Sequence, residues 1–139
     1  AAAIACADEF INERQERWDA SVGERGTGLS GGQRQRVAIA RAVAARPDVI
    51  ILDDVTSSLD ATTDRRIVEA LYREFKDRTA IIISQKINTI RYADRIVVME
   101  DGCIIAAGTH EELLQSNAIY RTIFETQSGL ATPYGRTSA

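Results

Sequence analysis

The segment at positions 29 to 33 combines residue types that can bind an anion. Its residues, Leu29-Ser30-Gly31-Gly32-Gln33, open a helix that the sequence predicts from about Gly31 to Ala45. The free N–H groups and the positive dipole end of a helix start attract negative charge, and glycines let an anion approach the backbone. Ser30 adds a hydroxyl donor. The same residues also fit a plain capping box of Ser30 with Gln33, so the segment alone fits a phosphate site or a helix cap equally.

Two carboxylates follow an apolar run and form the second group that could do chemistry. Val49 to Leu52 predicts a buried strand, and Asp53 and Asp54 stand at its C-terminal end, where α/β sheets bind ligands. Asp53 is placed to hold Mg²⁺, directly or through water, and Asp54 is placed where a base would activate water. The alternative is an aspartate pair that caps a turn. The segment Ser58-Leu59-Asp60 follows at once.

Helices that alternate with apolar strands must position these residues, which predicts an α/β fold with a mostly parallel sheet flanked by helices. The continuously apolar run from Val49 to Leu52 is predicted to be buried on both faces of that sheet. Asp101-Gly102 predicts the tight turn of a β-hairpin near the C-terminus. In chain order, the predicted elements are a helix at 1–17, a glycine-rich loop at 21–29, a helix at 31–45, a strand at 49–52, a helix at 61–76 capped by Asp60, a strand at 80–83, a helix at 87–91, hairpin strands at 95–100 and 103–107, a small helix capped by Thr109, and a helix at 117–127.

Composition limits the class of protein. Of 139 residues, 45% are hydrophobic and 27% are charged, which predicts a packed domain or a large part of one. The net charge of -3 argues against a broad nucleic-acid surface, so no nucleic-acid partner is expected. The apolar runs are too short to span a bilayer. The chain does not open with Met, and we expect position 1 to lie inside a longer protein.

Four other residues have ordinary interpretations. Cys6 and Cys103 lie far apart without CxxC spacing and are expected to be two reduced thiols. Trp18 is expected to anchor packing. His110, the only histidine, is expected to be an exposed residue at a helix start.

The order and spacing of the motifs resemble the nucleotide-binding domain of an ABC transporter, over about residues 1–127. The resemblance rests on Gly28 to Arg36, an alanine-rich helix, Arg46-Pro47, Val49 to Asp54 and Ser58 to Asp60. Residue by residue, Leu29, Ser30, Gly31, Gly32 and Gln33 resemble the signature motif, Asp53 the Walker B aspartate, Asp54 the catalytic-base position, Ser58, Leu59 and Asp60 the D-loop, and Gln85 the switch-histidine position. Val22 to Gly26 and Gly102 to Glu112 resemble exporters rather than importers.

The resemblance implies a partial P-loop NTPase-type fold that uses ATP and Mg²⁺. Residues 1–47 would form a helical subdomain with the signature, 48–127 the C-terminal part of the ATPase core, and 128–139 a flexible tail. In this family the signature of one domain closes over ATP held by the P-loop of a second domain. The implied partners are therefore a second nucleotide-binding domain and transmembrane domains, at the cytoplasmic face of the cell membrane. No GxxxxGK[ST] occurs in the sequence, so we expect the P-loop before position 1 and no activity from this chain alone.

Two catalytic positions depart from the family pattern. The family's glutamate is here Asp54, whose shorter side chain retreats from the water that a base must reach. The switch histidine is here Gln85, whose amide cannot relay a proton at neutral pH. With an intact signature, this combination resembles the degenerate-site subunit of a heterodimeric exporter, whose partner is a different subunit. Two other hypotheses are a soluble ABC ATPase that acts on nucleic acid or ribosomes, and a regulatory partner that never hydrolyses ATP.

Overall fold

The computed structural model describes residues 1–129, which form two compact units, Ala1–Ile83 and the residues from Ser84 onward. The flexible tail predicted at 128–139 lies outside the described residues beyond Gly129. None of the helices within residues 1–129 is long and apolar enough to cross a membrane. The elements are α1 (Ala7–Asn12), α2 (Gly31–Ala44), β1 (Val49–Asp53), α3 (Ala61–Glu74), β2 (Thr79–Ile83), α4 (Ile87–Ile90), β3 (Ile96–Glu100), β4 (Cys103–Gly108), α5 (His110–Ser116) and α6 (Ala118–Gln127).

In the first unit, β1 and β2 form a two-stranded parallel sheet. Val49 pairs with Thr79 at one end of the ladder, and Asp53 pairs with Ile83 at the other. The inner face of the sheet joins a core to which α1, α2 and α3 contribute. The buried residues of this core are Ala5, Cys6, Ala7, Phe10, Leu29, Ile39, Val43, Ile50, Leu52, Ile67, Leu71 and Phe75. The predicted α/β class and the parallel pairing are confirmed.

The prediction that the first strand is buried on both faces is wrong for the described residues. Val49 and Ile51 are 53% and 63% exposed, while Ile50 and Leu52 between them are buried. On β2, Ile81 and a further isoleucine at the strand end are also about half exposed. Side chains of a strand alternate between faces, and the core residues of 1–83 cover only one of them. One face of this sheet is therefore apolar and open.

The first helix is shorter than predicted. Residues 1–6 form turns, and the helix proper covers only Ala7–Asn12. Left-handed backbone at Cys6, with φ of 50°, separates residues 1–6 from the helix because L-residues disfavour this region. Trp18 follows on a short 3₁₀ turn and is 61% exposed, so its predicted anchoring role is wrong.

The second unit is built around the predicted hairpin and the last two helices. Strands β3 and β4 pair antiparallel, with a bulge at Val98 and Met99. Asp101 and Gly102 both have positive φ, 47° and 77°, as the tight primed hairpin turns require. The hairpin prediction is confirmed. The buried core of this unit consists of Ile87, Ile96, Leu113 and Tyr120.

His110 is not the exposed residue that the sequence suggested. Its side chain is half-buried, and Nδ1 lies 2.8 Å from the hydroxyl oxygen of Tyr120. The imidazole also meets the ring of Phe124 edge-on, with centroids 5.2 Å apart. The expectation failed because both partners lie on α6, which packs on α5, and no local pattern announces that packing.

Candidate functional site

The start of α2 is a complete capping box, as predicted. Ser30 Oγ accepts the N–H of Gln33 at 3.2 Å, and the Ser30 N–H donates to Gln33 Oε1 at 3.0 Å. In this arrangement Ser30 Oγ acts as an acceptor, so its hydroxyl hydrogen can still be donated to another group.

The first turn of α2 also carries free backbone donors. The Arg34 N–H bonds the Ser30 carbonyl at 2.9 Å, and the Gln33 N–H is used by the cap. Within residues 1–129 the N–H groups of Gly31 and Gly32 make no hydrogen bond. No acidic side chain lies in this turn, so its positive dipole end is not compensated locally. This combination suits an anion.

Two arginines hold the backbone just before the cap. Arg14 Nη2 donates to the Gly28 carbonyl at 2.6 Å, and Arg34 Nη1 donates to the Leu29 carbonyl at 2.6 Å. The Leu29 side chain is only 8% exposed and belongs to the core of the first unit. Leu29 therefore anchors the segment, and the polar atoms of Ser30 to Gln33 are the ones left to meet a ligand.

The two glycines of the segment differ in the space around them. A Cβ built at Gly31 would meet only ordinary contacts, 3.9 Å from Arg34 Nη2 and 4.0 Å from Ser58 Cβ. At Gly32 a Cβ would lie 3.2 Å from both the Ser58 carbonyl oxygen and Leu59 Cδ2. Gly32 is therefore needed for packing against the segment at 58–60. Around Gly31 there is room for a Cβ, so packing within residues 1–129 does not require glycine at this position.

Gln35 links α2 to the turn that follows β1. Its Nε2 donates to Ser57 Oγ at 3.0 Å, and its Oε1 accepts the Ser58 N–H at 3.1 Å. Sequence reasoning missed this residue because its partners lie 22 and 23 residues further along the chain. The link brings the segment at 29–33 and the segment at 58–60 together.

Asp60 caps α3, as predicted. One carboxylate oxygen accepts the N–H groups of Thr62 and Thr63, each at 3.0 Å. Hydrogen bonds from Thr63, the largest cause, and from Thr62 lower the pKa of Asp60, because they stabilise its charged form. The end of the 58–60 segment is thus tied to the third helix.

Asp53 and Asp54 lie at the C-terminal end of β1, where the sequence placed them. Both are exposed, and the Asp54 N–H donates to the Ile83 carbonyl at 2.8 Å, which extends the ladder by one bond. Asp54 adopts left-handed backbone with φ of 47°. Among residues 1–129 no three His, Cys, Asp or Glu side chains converge on a metal position. Asp53 offers one exposed carboxylate at this strand end, a ligand type that Mg²⁺ takes in small number beside phosphate oxygens.

Gln85 belongs to the second unit. The side chain is exposed, and its carbonyl accepts from Gln127 Nε2 at 2.7 Å. The other end of the Gln127 amide accepts the Ile87 N–H at 2.9 Å. One amide of α6 thus fixes the backbone on both sides of Lys86.

Comparisons with known proteins agree with these motifs. The family model for the ABC transporter matches residues 6–57. The "Mitochondrial potassium channel ATP-binding subunit" of Pongo abelii is 50% identical over 128 residues, which are 92% of this chain and 18% of that protein. The "Alpha-hemolysin translocation ATP-binding protein HlyB" of Escherichia coli is 45% identical over 129 residues, with the same two shares.

A solved structure supports the fold. The "Structure of a bacterial Atm1-family ABC exporter with ATP bound" superposes with a TM-score of 0.85 at 35% identity, over 91% of this chain and 22% of that one. The chain thus spans about a fifth of the length of these relatives. The capping box at Ser30 and the carboxylates Asp53 and Asp54 lie within residues 6–57, which the family model matches. The chain therefore matches a portion of the nucleotide-binding domain of exporter-type ABC transporters.

Proposed function

We propose that this chain contributes the signature half of an ATP site in an ABC exporter. The observation that carries the proposal is the start of α2, where a first turn without acidic side chains leaves two glycine N–H groups without hydrogen bonds within residues 1–129. In the proposed complex, Ser30, Gly31 and Gly32 donate to the γ-phosphate of ATP held by the P-loop of a second nucleotide-binding domain. Fixed donors of this kind stabilise charge as it develops on a phosphoryl group.

On its own side, the chain would supply the Walker B end of another ATP site. Asp53 would hold Mg²⁺, and Ser58, Leu59 and Asp60 would act as the D-loop. Mg²⁺ would neutralise charge on the phosphates when bound. Asp54 and Gln85, which replace the family's glutamate and histidine, make this second site the slow one. We therefore propose a heterodimer in which the partner is a different subunit with a P-loop that serves the faster site.

The open face of the β1–β2 sheet supports the proposal that another part of the protein packs on it. Val49, Ile51 and Ile81 form an exposed apolar surface that a stable soluble domain would cover. We propose that the part of the cassette which carries the P-loop covers it. Transmembrane domains would complete the exporter, with this chain at the cytoplasmic face of the membrane. The net charge of -3 does not favour the alternative of an ATPase that acts on nucleic acid.

The chain alone is expected to bind ATP weakly and to hydrolyse none, because its sequence contains no GxxxxGK[ST] cradle for phosphates. Calorimetric titration of the 139-residue chain with Mg-ATP measures this directly. Micromolar affinity would contradict the proposal that the signature side needs a partner's P-loop.

A comparison of Gly31→Ala with Asp54→Asn in the complete transporter tests the assignment. Gly31 has room for a methyl group, so the substitution should leave the fold intact and only obstruct the phosphate. We expect Gly31→Ala to lower the steady-state ATPase rate ~10²-fold, as the loss of phosphate donors would. Asp54→Asn should lower it less than about threefold, because the slow site contributes little turnover.

The ratio of the two losses decides the outcome. Equal losses at both positions would refute the asymmetric assignment, and no loss at Gly31 would refute the signature role. Thermal unfolding of both variants serves as the control for folding. Gly28→Ala is the matched control for the added methyl group of Gly31→Ala. A Cβ at Gly28 meets nothing within 4 Å, and the residue lies just before the segment at 29–33.

A further inference from the structure

Gln35 makes a two-point connection between the signature helix and the D-loop. Its amide donates to Ser57 Oγ at 3.0 Å and accepts from the Ser58 N–H at 3.1 Å. Both ends of the amide are thus satisfied by neighbouring residues of one turn. This geometry leaves the side chain little freedom and ties the turn to α2 at a defined position.

A second contact lies one helical turn earlier. Gly32 packs so closely on the D-loop that an added Cβ would be 3.2 Å from the Ser58 carbonyl oxygen and from Leu59 Cδ2. The polar connection at Gln35 and the close packing at Gly32 act on the same short segment. Neither contact uses the hydroxyl group of Ser30, so that group stays available to donate to a ligand.

We propose that Gln35 is a positioning residue that holds the D-loop against the signature helix, so that both reach the partner's nucleotide as one rigid piece. The proposal rests on the function proposed above for Ser30 to Gln33. Gln35 itself touches no phosphate. It acts through the placement of Ser58 and Leu59, and a displacement of an ångström at such a site is enough to slow catalysis.

The test is a double-mutant cycle in the complete transporter with Gln35→Leu and Ser57→Ala. Gln35→Leu keeps helix propensity and approximate size but removes both hydrogen bonds. We expect the kcat for ATP to fall about tenfold in Gln35→Leu and about threefold in Ser57→Ala, with KM for ATP changed less than twofold. In the double variant, Ser57→Ala should add almost nothing, because residues that share one interaction are not additive.

A rescue variant separates positioning from mere structure. In Gln35→Glu, one carboxylate oxygen can accept the Ser58 N–H and the other can accept the Ser57 hydroxyl hydrogen. Its kcat should stay within about threefold of the unmodified transporter. Gln115→Leu, on an exposed position of α5, is the matched control and should leave kcat unchanged.

The outcomes distinguish this proposal from the one it rests on. If Gly31→Ala abolishes turnover while Gln35→Leu and Ser57→Ala do not change it, the positioning role is wrong and the signature role stands. Additive losses in the double variant would also overturn the positioning role. If Gln35→Leu does not fold, the kcat of Ser57→Ala alone decides: a value equal to that of the unmodified transporter contradicts the proposal, and a threefold loss supports it.

Discussion

Two helices of this chain begin with the same capping device but offer opposite surroundings to a ligand. At α2, Ser30 and Gln33 exchange hydrogen bonds of 3.2 and 3.0 Å. At α5, Thr109 and Glu112 exchange bonds of 3.3 and 2.9 Å in the same pattern. The hydrogen bonding of the two caps is therefore nearly interchangeable.

The first turns of the two helices carry different charge. The α2 turn has no acidic residue, whereas the α5 turn contains Glu111 and Glu112. Carboxylates at a helix start compensate its positive dipole end and repel a further anion. Space differs too, because the α2 turn begins with two glycines and the α5 turn begins with His110, packed on Tyr120. A capping box alone thus says nothing about phosphate binding, and the residues inside it decide.

The largest difference is expected between Ser30→Ala and Thr109→Ala. Each variant loses an N-cap and should lower the free energy of unfolding by about 1 kcal/mol. Only Ser30→Ala should also lower the ATPase rate of the complete transporter, by ~10²-fold, because it removes a donor to the phosphate. Thermal unfolding and steady-state ATPase assays on both variants measure the two effects. Similar ATPase losses in both would mean that stability alone explains them.

An intermediate effect is expected when the charge of the two caps is exchanged. Gln33→Glu keeps the capping box but adds a negative charge to the α2 turn, so KM for ATP should rise about tenfold at low salt. The increase should shrink as salt rises, because added ions screen the charge. Glu112→Gln is the matched control in α5, with KM within about twofold. A KM for Gln33→Glu that does not respond to salt would refute the electrostatic explanation.

The smallest effect concerns the cap of α3, where a carboxylate replaces the hydroxyl of the other two caps. Hydrogen bonds from Thr63 and Thr62 lower the pKa of Asp60 below the ordinary value of an aspartate. Its contribution to stability is therefore present above the unfolded pKa of about 3.9 and is lost as pH falls through the lower folded pKa. Asp60→Asn keeps an acceptor for the cap, but its amide does not titrate. The free energy of unfolding of the domain should therefore depend less steeply on pH below about 4 in this variant. Denaturant unfolding between about pH 5 and 2.5 measures this slope, and identical slopes would contradict the role given to Asp60.

Local signals predicted most of the elements, whereas contacts between distant residues remained hidden. The caps at Ser30, Asp60 and Thr109 were readable because each acts on a neighbour two or three residues away. The Asp101-Gly102 turn was readable because few residues tolerate its backbone. The caps at Ser30 and Asp60 therefore predicted that the segments at 29–33 and 58–60 each lie at the start of a helix.

The features that the sequence did not predict all depend on which other parts of the chain pack against a residue. The connection from Gln35 to Ser57 and the contact of His110 with Tyr120 join different elements, and no periodicity announces them. The exposure of Ile51 was missed because an apolar run looks the same whether or not its second face is covered by residues of the same chain. The first helix was overestimated because alanine content suggested propensity, while Cys6 and Arg17 adopt left-handed backbone.

The arginine contacts on the carbonyls of Gly28 and Leu29 have a consequence for the thermodynamics of the proposed nucleotide capture. Because Arg14, Arg34 and the buried Leu29 already order this stretch, little conformational entropy remains to be lost when a phosphate arrives. Closure of two cassettes over ATP would then be driven by new contacts rather than opposed by loop ordering. Loosening either arginine would convert a rigid docking surface into an adaptable one, and would show as a larger entropic penalty of association.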